Sequence, residues 1–446
     1  MKINFEYKTT KNNIHQIIKL KTNNKVYTFK SSIKCEKTLP KEKNKIDIWD
    51  ESIMNGTFPN CSLSQKKELT IVDLFCGSGG FTEGVKSGLK QLGINSKVLA
   101  GCDLDEKALK IYNLNHKPKL LINDDVNSIL NYQIKRESFE NFTVRNVKFK
   151  TSNFSIVDTL FNGCDILLAG PPCQGHSNLN NHSRGSDPRN NLYLSVVAFA
   201  EKLNPSFIAI ENVNTVLADH KSVVYKTELI LNNLGYKTEH IKIKGEKIGL
   251  PQTRNRHFLI AKKSESYSSN LIIDGFSKMI SNPRTVEWAL KNIQKIKSKK
   301  HDFYFPADVS SENKRRMEWL IKNDEYDLPN HLRPDCHKEG TTYKAVYGRL
   351  HPDLPAGTIT SGFMSPGRGR YTHPFEARAL TAFEASILQG FPSSYKFFDD
   401  NSYPGNSHLA RIIGDAVSPY MSKLIGLDFG INLLIKNEEL IEKKAA

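Results

Sequence analysis

The 446-residue chain has no CxxC pair, no internal repeat, and no apolar run approaching the roughly 20 residues that a membrane helix needs. Its seven cysteines, at 35, 61, 76, 102, 164, 173 and 336, are an odd number. That argues against a disulfide framework or a zinc site and for a reducing cytoplasm. The opening MKINFEYKTTKNN lacks the apolar stretch of a signal peptide. No metal and no membrane partner are expected. Acidic charge is in deficit: 63 Lys and Arg stand against 47 Asp and Glu, a formal net charge of +16. Such an excess favours a polyanionic partner, nucleic acid first, although an AT-rich genome also raises Lys and Asn.

Residues 1–66 show no sustained period beyond one strand around KVYTF and are read as an appended, partly disordered segment without an assigned role. From Leu69 the pattern changes. LTIVDLF, SKVLAGCD, KLLIND, CDILLAG, FIAIENV, TEHIKIKG and RHFLIAK read as strands, separated by helical stretches such as RNNLYLSVVAFAEKL and KTELILNN. This alternation predicts an α/β fold with a doubly wound, mostly parallel sheet, whose ligands sit beyond the carboxyl ends of the strands. After residue 263 the alternation stops. Short basic helices and loop-rich sequence suggest an inserted smaller domain, and LARIIGDAVSP reads as a loop before a final helix.

The polar clusters fall at strand ends. GSGG at 77–80 follows a strand and precedes a helix, but the dinucleotide fingerprint GxGxxG fails: Gly77 and Gly79 fit, while Thr82 replaces the third glycine. No lysine follows the glycines, which disfavours a phosphate-gripping loop. Asp103 ends the second strand, where a carboxylate can take ribose hydroxyls; Asp124 and Asp125 end the third, where one can accept from an adenine amino group. Each Asp alone reads as well as a helix cap. Together they point to a nucleoside bound without phosphates, as in cationic S-adenosylmethionine.

Three further strand ends carry chemistry. GPPCQGHSN holds Cys173 on a stiff proline corner, IENV carries Glu211, and PQTRNR carries Gln252, Arg254 and Arg256. A thiol, a carboxylic acid and arginines around one crevice suit an electron-poor ring that must be made nucleophilic. Thiolate addition to carbon 6 of cytosine, with an acid at nitrogen 3, makes carbon 5 enamine-like. Cys173 is the expected nucleophile, Glu211 the acid, and Arg254 the group that orients the base, with Arg256 alongside. An inert loop cysteine, a capping Glu and an ordinary solvent-facing strand are the bland alternatives.

In this order the motifs resemble those of the C5-cytosine DNA methyltransferase family of restriction–modification type. DLFCGSGGF, GCDLDEKA, NDDV, AGPPCQGHS, IENV, QTRNR, HPFEARALTAFEASILQGFP and IGDAVSP match in sequence from residue 69 onwards. The resemblance implies a Rossmann-like S-adenosylmethionine-binding domain over 67–262, a target-recognition domain over 263–372, and a return to the catalytic domain over 373–446. It places Phe75, Gly77, Gly79, Gly80, Asp103, Leu104, Asp125, Val126, Pro171, Leu192 and Asp415 around the cofactor. It implies a cytosine flipped from duplex DNA, with Ser177, Arg184 and Arg189 on a closing loop over 177–191 and Gln174 as a further DNA-binding residue. Thr358 and Thr360 would lie near the flipped base, Arg349, Arg368 and Arg370 are candidates for guanine readout, and Lys291–Lys300 with Lys314, Arg315 and Arg316 are candidate phosphate contacts.

Three positions depart from the family pattern: His176 for Phe, Cys76 for Ala, and Asp415 for Asn. A carboxylate at 415 either favours the sulfonium or alters the pocket for a modified donor. A monomer is expected, and a cognate restriction endonuclease is left open as a partner. The competing readings are a tRNA cytosine methyltransferase, a catalytically dead scaffold and, more distantly, a nucleotide-binding oxidoreductase.

Overall fold

The computed structural model describes residues 1–23, 25–35, 44–57, 59–61, 68–138, 141–150, 164–172, 192–218, 222–263, 267–291, 301–338, 345–399 and 402–445. Cys173, Gln174, His176, Ser177, Arg184, Arg189 and most of the Lys291–Lys300 cluster lie outside the described residues.

The N-terminal segment differs from its sequence-based expectation. Lys2–Thr9 (β1), Asn13–Lys21 (β2), Val26–Lys34 (β3) and Asn60–Cys61 (β4) form an antiparallel sheet, with a helix at Lys45–Met54. The period-2 signal was present in INFEY and IHQIIKL but was obscured by the lysines and other polar residues at most outward positions. Ile3, Phe5, Ile14, Ile18 and Phe29 are buried.

Leu69–Leu74 (β5), Ser96–Asp103 (β6) and Leu120–Asn123 (β7) begin the main sheet. A hairpin not foreseen from sequence follows, Leu130–Ser138 (β8) and Asn141–Phe149 (β9). Ile166–Ala169 (β10), Phe207–Asn212 (β11), Lys237–Lys244 (β12) and Asn255–Lys262 (β13) complete the sheet, in the order β12-β13-β11-β10-β5-β6-β7. Of these seven, only β13 runs against the rest. The central strands are buried along nearly their whole length because helices cover both faces.

One face is covered by the helices Gly80–Lys90 and Pro419–Ala445, which cross closely: a Cβ on Gly84 would strike Ser422 and Pro419, and one on Gly88 would strike the Lys423 backbone. Leu192–Leu203 and Val223–Asn233 cover the other face. LARIIGD, read from sequence as loop, is helical as part of Asn406–Asp415, with Leu409, Ile412 and Ile413 forming a buried stripe.

The N-terminal sheet is fixed to this body by apolar and ionic contacts. Helix Asn270–Ser277 packs on β1, with Phe5 and Phe276 edge to face at 5.5 Å. It lies within the stretch expected to be target domain. Asp50, fully buried, pairs with Arg284 at 2.8 Å and Lys423 at 3.0 Å and accepts from the Tyr420 hydroxyl at 2.6 Å. Burial pushes its pKa up, but Lys423 and Arg284 outweigh that and hold it below the usual carboxylate value. Removing one partner of such a network leaves buried cations uncompensated, at a cost of about 3–5 kcal/mol. Asp50→Ala should therefore lower the unfolding free energy in urea by that amount, whereas Glu6→Ala on the exposed face should change it by less than about 0.5 kcal/mol. An unchanged midpoint for Asp50→Ala would contradict the ionic anchor.

Candidate active site

The carboxyl ends of β5, β6, β7, β10 and β11 open into a cavity of about 420 Å³. Phe75, Gly77, Gly80, Asp103, Leu104, Asp125, Val126, Pro171, Leu192 and Asp415 all line it, together with Glu211 and Arg256. Gly79 does not line it. It caps helix Gly80–Lys90 at φ 91°, and a side chain there would collide with His116. Phe75 is held at φ 55°, an uncommon conformation for an aromatic residue, which is a form of strain that clusters at functional sites.

The competing cap readings resolve separately for each Asp. Asp105, not Asp103, caps helix Glu106–His116, accepting from Lys107 N at 3.0 Å and Ala108 N at 3.2 Å. Asp103 instead accepts from Gly77 N at 2.8 Å and Asp105 N at 2.9 Å, which fixes the glycine turn and leaves lone pairs for hydroxyls. Asp125 both caps Val126–Ile129 and lines the cavity. Beneath the turn, Asp73 is fully buried and accepts from Thr82 Oγ1 at 2.6 Å. Burial pushes its pKa up to about 7.

Glu211 caps no helix. Its carboxylate pairs with Arg256 Nε at 2.8 Å, and both side chains are nearly buried. Burial raises the Glu211 pKa against the opposing pull of Arg256 and Arg254, so the carboxyl is biased towards the protonated form that an acid catalyst needs. Asn212 Nδ2 donates to the Pro171 carbonyl at 3.4 Å, joining the IENV strand end to the proline corner.

Arg254, expected to orient the base, does not line the cavity; its guanidinium is buried. It donates to the carbonyls of Ile359 at 3.2 Å, Gly414 at 3.4 Å and Ala416 at 3.0 Å. Arg256 is the arginine that meets Glu211. Gln252 adds to the same junction, accepting from Ile359 N at 3.1 Å and donating to the Leu388 carbonyl at 3.0 Å. Thr360 Oγ1 lies 2.9 Å from the Tyr371 hydroxyl, which also donates to the Thr358 carbonyl at 3.2 Å.

Two of the three candidate guanine readers are likewise committed elsewhere. Arg349 is buried and pairs with Asp324 at 2.9 Å while donating to the Pro374 carbonyl. Arg370 pairs with Asp327 at 2.7 Å and donates to the Tyr326 carbonyl. Arg368 is exposed and has no partner among the described residues; its stem lies over Gly362. Lys314 and Arg315 are exposed, whereas Arg316 is tied to the Leu332 carbonyl.

Sequence reasoning missed Asp105, Arg411, His116 and Tyr395. Asp105 pairs with Arg411 and His408, latching helix Asn406–Asp415 to the second strand end. The Tyr395 hydroxyl donates to the Ser78 carbonyl and lies 3.1 Å from His116 Nε2, which contacts the Gly79 carbonyl. The partners are about 300 residues apart in several of these pairs, and no local pattern encodes them.

With this geometry in place, the comparisons fall into line. Residues 69–429 match the C-5 cytosine-specific DNA methylase family, and the chain belongs to it. It is accordingly a DNA cytosine-5 methyltransferase. It is 36% identical to the type II methyltransferase M1.BsuMI of Bacillus subtilis over 86% of each chain, and 28% identical to the type II methylase M.HgiDII of Herpetosiphon aurantiacus over 80% of this chain and 93% of that one. Among solved structures, the Entamoeba histolytica methyltransferase EhMeth superposes with a TM-score of 0.53 at 17% identity, covering 83% of this chain and 99% of that one. That likeness bears on the fold alone. No helix among the described residues is long and apolar enough to cross a membrane.

Asp73 yields a pH prediction. An unfolded Asp titrates near 3.9, so with a folded value of about 7 the chain takes up a proton on folding between those limits. The Asp73 contribution therefore becomes less favourable as pH rises through that window and is constant above it. Asp73→Asn should gain stability relative to wild type between about pH 4 and 7 in urea titrations; parallel pH profiles would contradict the assignment.

Proposed function

We propose that the chain transfers a methyl group from S-adenosylmethionine to carbon 5 of a cytosine flipped out of a specific duplex DNA sequence, through a transient bond to Cys173. The observation that carries this is the single cavity shared by the nucleoside-type residues and the Glu211–Arg256 pair. The donor set fits the cofactor chemically: Phe75 offers a ring for adenine, Asp125 and Asp103 offer acceptors for its amino group and ribose hydroxyls, and Asp415 offers negative charge to a cationic donor. When bound, that cofactor supplies an electrophilic methyl group.

The chain's own residues supply the rest. The Cys173 thiolate adds to carbon 6 while Glu211 gives a proton to ring nitrogen 3, so carbon 5 gains the electron density to accept the methyl. Loss of the carbon 5 hydrogen to a base, with return of the nitrogen 3 proton to Glu211, expels the thiolate and restores aromaticity. Arg256 steadies Glu211; Arg254 positions the strand beneath both. Gln174, Ser177, Arg184 and Arg189 close over the flipped base, and Thr358 and Thr360 back it. Arg368, exposed and without a side-chain partner among the described residues, is the candidate guanine reader. The protein works as a cytoplasmic monomer, and a restriction endonuclease that cuts the same site is its natural companion.

Bisulfite sequencing of DNA from expressing cells should show methylated cytosine in one sequence context. Cys173→Ser should abolish it, and Arg368→Ala should leave methylation intact with one guanine position relaxed, since a good bidentate contact is worth about 1–3 kcal/mol of discrimination. Unmodified DNA, or full activity in Cys173→Ser, would refute the reading.

A further inference from the structure

The net charge is not spread evenly. Residues 1–35 hold eight lysines against a single acid, Glu6, and so carry seven of the sixteen net positive charges in less than a tenth of the chain. Strand alternation sorts six of them onto one face. Ile3, Phe5, Ile14, Ile18, Leu20, Phe29 and Ile33 point inward, while Lys2, Lys8, Lys19, Lys21, Lys30 and Lys34 are exposed on the opposite side of β1, β2 and β3. Lys8 and Lys19 share Glu6 at 3.1 and 3.4 Å. Lys2, Lys21, Lys30 and Lys34 have no ion pair among the described residues.

This arrangement works against the sheet itself. Lys2 stands directly opposite Lys21 in the β1–β2 register, and like charges so placed destabilise a strand pair. A face that served only solubility would intersperse both signs. A polyanion laid across it would remove the repulsion. Strands of this length make a face roughly 25 Å long, opposite which a duplex carries on the order of fifteen phosphate charges. Lysine, a flexible point charge, grips phosphate without reading bases.

We propose that the outward face of the N-terminal sheet is a sequence-independent docking surface for the phosphate backbone of the DNA that carries the target site, outside the bases contacted by the target segment. This rests on the methyltransferase reading and adds to it a role for residues 1–35. The face raises affinity for long DNA and leaves the chemical step unaltered.

The test compares wild type with the full-length variant Lys2→Gln, Lys21→Gln, Lys30→Gln, Lys34→Gln, whose changes are all on exposed positions, after matched thermal melts confirm folding. The substrates are a short duplex covering only the methylated site and a long duplex with the same site and flanks. Wild type should show a KM for the long duplex about tenfold or more below that for the short one, and the variant should lose this preference with kcat on the short duplex unchanged. The slope of log affinity against log salt on the long duplex should fall by about 3 to 4. A variant that keeps the wild-type length preference and salt slope overturns the proposal. A wild type that methylates neither duplex overturns the methyltransferase reading instead, and the salt slope of binding, which needs no turnover, still decides the docking surface.

Discussion

A guanidinium with no access to solvent governs the geometry of this enzyme. Arg254, just ahead of β13, donates to carbonyls from the segment around Ile359 and from the end of helix Asn406–Asp415 at Gly414 and Ala416. Stretches 105 and 162 residues further along the chain thus converge on one planar cation. Arginine suits the task because it is always charged and presents five donors in a fixed fork. Gln389 Nε2 also donates to the Gly414 and Ala416 carbonyls, at 3.4 and 3.1 Å, so without the fork it is the Ile359 carbonyl that loses its side-chain donor, at a cost of about 1–3 kcal/mol. With the fork in place, Arg256, two residues on and beside Glu211, is aimed at the cavity.

The cavity is assembled on the same plan, with rigid elements supporting a few exposed polar groups. Parallel strands end at one edge and deliver acids and glycines there. The supports come from afar: Tyr395 and His116 sit behind the glycine turn, and Arg411 latches the last short helix to Asp105. The N-terminal layer is part of this body, because Asp50 pairs with the buried cations Lys423 and Arg284, the latter shared with Asp47.

The catalytic edge was legible in the sequence because each motif is short and contiguous. A glycine turn, an acid at a strand end and a proline corner carry their chemistry within a few residues, so Asp103, Asp125 and Glu211 were found without a fold. Long-range partnerships were not legible. Nothing local in QTRNR distinguishes the arginine that clasps backbone from the one that meets Glu211, and nothing local in GRGR separates exposed Arg368 from Arg370, which Asp327 holds. The N-terminal strands were overlooked for a different reason: lysines and other polar residues at most outward positions make an amphipathic sheet resemble a polar tail. LARIIGD looked like loop because its apolar stripe spans a single turn or two before the loop begins.

The division of labour between the two arginines is the central claim, and conservative replacement tests it most directly. Urea unfolding of Arg254→Lys should show a loss of about 1–3 kcal/mol, because one ammonium cannot replace a fork that reaches both Ile359 and the Gly414 and Ala416 carbonyls. Arg256→Lys, which keeps a charge beside Glu211, should lose less than Arg254→Lys does. Equal stability of Arg254→Lys and wild type, or a greater loss in Arg256→Lys, would contradict the account.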